Sequence, residues 1–296
     1  MSSYRFCRTD DIGLLVDALN RCWSPYFPEE PAITPAAFKR WIRDLQVWCS
    51  SCMVAFSGGD PIGVLIGAKR THGTLVHRIA VAPDHRRQGH ARHLLESLGS
   101  KLAILGPPRI LAEVPEANAP ACAVFRASGY VSEAVLTDYV WQAEDVEPRS
   151  TARIEGLLIP VTVDDLAAND LLQERQPTCW ARSIETLTAR KDEIAGIAVA
   201  SDERLEAFIL YAPGEDGSAE LLSLGSIVED AGARVRWTLA GLRAQGVRTV
   251  TFPRVHPAEA AGETLEVLGF KAAGRHLVWT AGTGPAAASP SDRTQG

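Results

Sequence analysis

The chain has 296 residues, 46% hydrophobic and 22% charged, with a formal net charge of −6 and six scattered cysteines. This is the make-up of a folded chain of one large or two ordinary domains, and the acidic balance argues against nonspecific nucleic-acid binding. No apolar run reaches the roughly 18 residues of a membrane span, and MSSYRFCRTDD lacks the apolar core of a secretory leader, so a cytoplasmic, reducing setting is expected.

YRFCR reads as a short strand, and Asp10 or Asp11 as the cap of a helix to about Arg21. SPYFPEEP is a proline-broken loop. TPAAFKRWIRDL reads as a helix capped by Thr34 with Pro35 at its first position. CMVAF and PIGVLIGAKR, joined through GGD, form a hairpin, and TLVHRIAV is the next strand. A helix at 91–104, the strand RILAEV, a helix NAPACAVFRAS closed by Gly129, and YVSEAVLTDYVW as a final pair of strands complete the half. Strands alternating with helices give an α/β domain with a mixed α+β, partly parallel sheet.

The second half repeats this plan. LEAFILYA and AELLSLG resemble the hairpin and the strand after it, and ARVRWTLAGLRAQG matches the helix at 91–104. VRTVTF matches RILAEV, and Gly89, Gly129 and Trp141 correspond to Gly232, Gly269 and Trp279. Two copies of one domain are expected, at 1–146 and 152–281, with a low-complexity, disordered tail at 282–296. Residues 1–150 carry no net charge, so the whole −6 lies in the second half.

HRRQGHA, His85 to Ala91, lies between a strand and a helix in that neutral half. The first N–H groups of a helix lack partners within it and favour an anion. Gly89 allows positive φ and close approach, Ala91 keeps the next contact small, and Arg86 and Arg87 supply donors suited to phosphate. The motif is neither a Walker loop nor G-x-G-x-x-G. Taken alone, it is either a pyrophosphate cradle or a solvated basic turn.

The segment fits [Q/R]-x-x-G-x-[G/A] after a strand ending in AVAPDH, and LAEVPEANAPACAVFRASGY follows about thirty residues on. With both segments in order, residues 4–142 resemble the GNAT superfamily of acyl-CoA-dependent N-acyltransferases, and the whole chain resembles tandem double-GNAT bacterial proteins with one working half. The resemblance implies a splayed mixed sheet and acetyl-CoA as cosubstrate, without a metal. It assigns the pantetheine arm to backbone groups of Ile79 and Val81. The pyrophosphate goes to the N–H groups of Gln88, Gly89, His90 and Ala91, with Arg86 and Arg87 nearby. Asn118 and Phe125 fall at positions the family places near the cofactor.

Acyl transfer to an amine needs a proton acceptor, a stabilised oxyanion and a leaving thiolate. The family's usual base position falls on Leu75. His77, two residues on, is a candidate base by strand alternation, and Glu113 is a second. The tyrosine that often serves as acid is replaced by Phe125, with Tyr130 and Tyr139 as possible substitutes. Trp23, Tyr26 and Phe27 are expected to line the acceptor cleft, with Glu29 and Glu30 attracting a cation. The lone C-x-x-C, Cys49 to Cys52, has no partner motif for zinc.

In the second half Glu229-Asp230-Ala231-Gly232 stands at the cradle, so two acids repel the ligand they should hold. That copy is expected to be non-catalytic. The reading that follows is acetyl transfer to a primary amine of a small molecule, by a monomeric pseudo-dimer or a homodimer, without nucleic acid or membrane. A silent acyl-CoA-binding or regulatory module, and a peptide or protein acetyltransferase, are the alternatives.

Overall fold

In the computed structural model the described residues are 2–144, 155–172 and 177–283. The expected linker and tail lie mainly outside them. Two compact units are present. Among the described residues, one comprises 2–114, 118–133 and 278–283, and the other comprises 115–117 and the rest from 134 to 277.

The first unit begins with β1 (Ser2–Phe6), α1 (Ile12–Cys22) and α2 (Pro35–Leu45). Thr34 caps α2 by accepting from Ala37 N–H at 3.1 Å, and Pro35 fills the first position, where no donor is needed. Asp11 does not cap α1 with its side chain; it pairs with Arg5 at 2.9 Å and accepts from Arg8 N–H at 2.7 Å. Strands β2 (Met53–Ser57), β3 (Asp60–Arg70) and β4 (Gly73–Val81) form an antiparallel meander. Then come α3 (His90–Leu105), β5 (Arg109–Pro115) and α4 (Ala119–Ala127). Sheet order is β1-β2-β3-β4-β5, with β4 and β5 parallel. Leu15 and Leu19 of α1, Phe38 of α2 and Leu94, Leu95 and Leu98 of α3 are fully buried. β6 (Val131–Gln142) follows as one continuous strand, not the expected pair. Nothing between Ala134 and Thr137 is a turn-former, so the extended backbone has no reason to break.

The second unit has β7 (Leu157–Val161), α5 (Val163–Ala168), α6 (Ile184–Ala189), β8 (Ala195–Ala200), β9 (Leu205–Pro213) and β10 (Ser218–Ser226). It continues with α7 (Ala233–Ala244), β11 (Thr249–Val255), α8 (Gly262–Val267) and β12 (Phe270–Gly282). Its order is β7-β8-β9-β10-β11, with β10 and β11 parallel, so the strand plan of the first unit recurs.

The compact units are grouped differently from a linear cut near residue 150. Residues 134–142 of β6 belong to the second unit, where they run antiparallel to β11. From Val278 on, β12 belongs to the first unit, beside β5. Thr283 N–H there donates to Pro108 O at 3.0 Å. Each unit therefore closes its sheet with the last strand of the other repeat.

Candidate functional site

In the first unit, β4 and β5 pair only at Thr74–Ile110 and Leu75–Leu111. Beyond Leu75 the two strands part, and one edge of residues 76–81 has no strand partner among the described residues. Ala82 N–H donates to Ile62 O on the β3 side at 2.9 Å. Peptide groups alternate along a strand, so those of Val81 and Ile79 turn to the open edge. The Tyr26 hydroxyl donates to Val81 O at 2.7 Å, which leaves the Val81 N–H facing that edge.

A β-bulge interrupts β4. Val76 pairs with Gly67 and Arg78 with Ile66, so His77 is the extra residue. It sets Arg78 on the face of Leu75 and Ala80, which pair with Ala68 and Val64. His77 meets the Trp41 indole edge-on at 5.0 Å between centroids, and the Arg78 guanidinium lies 4.9 Å from the same ring. Simple alternation from Leu75 would have sent Arg78 to the opposite face.

The mouth of α3 is open. Gly89 is its N-terminal flanking residue, at φ +85°, and no side chain among the described residues caps the helix. A Cβ at Gly89 would meet nothing within 4 Å, so the backbone conformation, not packing, calls for glycine here. Arg87 is also left-handed, at φ +59°. Such alternation aims successive N–H groups into one concavity. An open pocket of about 480 Å³ is lined by Pro83, Asp84, Arg86 and Arg87. Arg86 also stacks on Tyr26, at 5.3 Å from its centroid. His90, the first helical residue, is buried with Nδ1 2.6 Å from the Tyr4 hydroxyl. Burial, with His85 and His93 nearby, holds its pKa below the usual value and favours the neutral ring.

The second unit has a left-handed glycine at the same place and a different chemistry. Ala231 and Gly232 are left-handed, at φ +53° and +76°. The Asp230 carboxylate accepts from Ala233 N–H at 2.9 Å and Arg234 N–H at 3.1 Å, so the chain's own anion occupies the start of α7. Burial raises the Asp230 pKa, but hydrogen bonds from Arg234 and these N–H groups outweigh it and hold the carboxyl below its usual range.

The second strand gap is also filled. β10 and β11 pair from Ser218–Thr249 to Glu220–Thr251 and then part. Arg182 spans them beyond that point: it donates to Leu222 O of β10 at 3.3 Å and to Pro253 O and Arg254 O of β11 at 3.0 Å each. Both its terminal nitrogens donate to Glu259, one of them at 2.7 Å. The Arg182 side chain is 0% exposed and its guanidinium lies 4.5 Å from the Phe252 centroid.

The remaining sequence candidates are dispersed. Asn118 caps α4 by accepting from Ala121 N–H at 3.2 Å. Phe125 is 2% exposed and packs edge-on against Tyr130, whose pKa is raised by burial. Tyr139 lies in the second unit. Glu113 is half-buried on β5. Trp23 stacks on Phe27 at 4.5 Å, whereas Tyr26 turns to Val81 and Arg86. Glu30 faces Arg78 at 3.6 Å and so already has a cation within the chain. Cys49 and Cys52 are buried free thiols. Arg182 and Glu259 escaped sequence reading, whereas Arg78, an arginine inside an apolar strand, was legible there as a partner for an acyl carboxylate.

Residues 14–130 match the profile of the acetyltransferase (GNAT) family. Among similar solved structures is a tandem GNAT protein from the clavulanic acid biosynthesis pathway, 18% identical, with a TM-score of 0.64 over 97% of this chain and 100% of that one. A GCN5-related N-acetyltransferase from Sphaerobacter thermophilus is 14% identical, with a TM-score of 0.65 over 96% of each chain. Another, from Kribbella flavida, is 16% identical, with a TM-score of 0.64 over 95% of this chain and 70% of its own. At these identities the likeness is one of fold.

Proposed function

Because the chain belongs to the GNAT superfamily, through residues 14–130 and with two such folds in tandem, we propose that it is an acyl-CoA-dependent N-acyltransferase. It carries acetyl from acetyl-CoA to a primary amine of a small molecule, and its first unit does the work. The observation that carries this reading is the open α3 N-terminus, with Arg86, Arg87 and left-handed Gly89, set against the closed one at α7. The residues present fit the cosubstrate. Arg86, Arg87 and the N–H groups of Gln88 to Ala91 are the pyrophosphate donors, and the open-edge peptide groups of Ile79 and Val81 pair with the arm. When bound, acyl-CoA supplies an acyl group activated as a thioester.

His77, at the bulge where β4 leaves β5, takes the amine proton, with Glu113 across the gap as the second candidate. The second unit contributes no cosubstrate site, because Asp230 and Arg182 fill the two places a nucleotide and its arm would need. Buried Phe125 offers no acid, and this favours the silent acyl-CoA-binding module as the second reading.

The test is release of free thiol from acetyl-CoA with a panel of small primary amines, for the native chain and for Arg86→Glu, Gly89→Glu. Amine-dependent release that the double variant loses is the expected result. Acetyl-CoA binding without release under any amine would favour the silent module. Neither binding nor release would end both readings.

A further inference from the structure

We infer that Arg78 is a carboxylate-binding residue of the first unit's site, so that a substrate of this chain carries a carboxylate, either on the amine acceptor or on the acyl group. The inference deepens the acyl-transfer reading and rests on it. Arg78 adjoins His77 at the bulge, where the β4–β5 gap opens. Its guanidinium packs against two indoles, 4.3 Å from the Trp23 centroid and 4.9 Å from the Trp41 centroid. Ring contacts of this kind restrain the guanidinium and use none of the N–H donors along its edge.

That edge is poorly met by the protein. Nε and Nη1 are buried without a hydrogen-bond partner among the described residues. Glu30 Oε2 stands 3.6 Å from Nη1, beyond hydrogen-bond length, on an exposed loop, and it also accepts from Trp23 Nε1 at 3.4 Å. The Arg78 side chain keeps 19% of its surface open to solvent. Taking a guanidinium this far out of water without close acceptors is costly, and a carboxylate meets the fork with two parallel hydrogen bonds.

Arg182 provides the internal standard. A buried arginine that serves only structure in this chain is met by a two-pronged carboxylate and three backbone carbonyls. Arg78 has neither. Glu30 is in the position of a loosely held stand-in, which a substrate carboxylate displaces.

The test compares kcat/KM for matched pairs in the native chain, Arg78→Met and Glu30→Gln. In the acceptor arm the pairs are the protein amino acids and their α-carboxamides, with acetyl-CoA as donor. In the donor arm succinyl-CoA is set against acetyl-CoA with an uncharged amine. The expected result is a preference of about tenfold or more for the carboxylate in one arm, falling to near unity in Arg78→Met. In Glu30→Gln, KM for the same carboxylate substrate should fall several-fold, since a competitor has gone. If Arg78→Met does not fold, Arg78→Lys, which keeps the charge but not the fork, should lose most of the preference. Equal use of both members of every pair, or a preference that survives in Arg78→Met, would overturn the inference while leaving acyl transfer intact. Failure to bind acetyl-CoA and to release thiol with any pair would overturn both.

Discussion

Replacing Glu259 with glutamine isolates the device that closes the second strand gap. Arg182 has a fully buried side chain, and Glu259 is its carboxylate partner through both terminal nitrogens. Removing one member of a buried pair costs about 3–5 kcal/mol, because the other charge stays behind uncompensated. Three backbone carbonyls and the Phe252 face remain to Arg182, which places the expectation near the lower end, about 3 kcal/mol. For a domain of roughly 150–250 residues this is a fall of about 6–12 °C in Tm. Thermal and urea unfolding followed by circular dichroism would read it. The double replacement Arg182→Met, Glu259→Leu should recover most of the loss, since no lone charge is then buried. A single-variant loss below about 1 kcal/mol, or a double variant no better than the single, would refute the view of this pair as a satisfied plug.

Two further perturbations separate the repeats. Gly89→Ala should cost about 1 kcal/mol for a left-handed residue and lower acetyl-CoA affinity at least tenfold, whereas Gly232→Ala, whose Cβ would stand 3.0 Å from Leu268 Cδ2, should cost more stability and leave affinity unchanged. Melting and calorimetric titration of both variants check this, and equal effects on affinity would count against it. Asp230→Ala should cost about 1 kcal/mol at neutral pH through the lost cap of α7. The Asp230 carboxyl titrates below its usual value, so its contribution is complete above about pH 4 and is lost as the pH falls through that lower value. The stability gap between native chain and variant should therefore close only in that acid range, and a gap closing near neutrality would contradict the assignment.

Most of the fold was readable because its signals are local. The cap at Thr34, the left-handed glycines and the alternating apolar strands each act within a few residues. The α3 mouth was readable for the same reason: a glycine and two arginines between strand and helix form a contiguous motif. What sequence reading missed depends on long-range pairing. The bulge at His77 exists only in the register of β4 against β3, and it alone brings Arg78 to the face of Trp41. Arg182 and Glu259 lie 77 positions apart in the chain. The exchange of final strands turns on which sheet edge residues 134–142 and 278–282 join, and their composition suits either. Asp230 was singled out in the sequence as repelling phosphate; in the structure its carboxylate accepts the N–H groups at the helix start itself.

The central claim is that one acyl-CoA binds per chain, in the first unit. Calorimetric titration of the full chain with acetyl-CoA, beside Arg86→Glu, Gly89→Glu, tests it most directly. The account predicts a stoichiometry near one that disappears in the variant. Two molecules per chain, or one that the variant still binds, would place a working site in the second unit and contradict it.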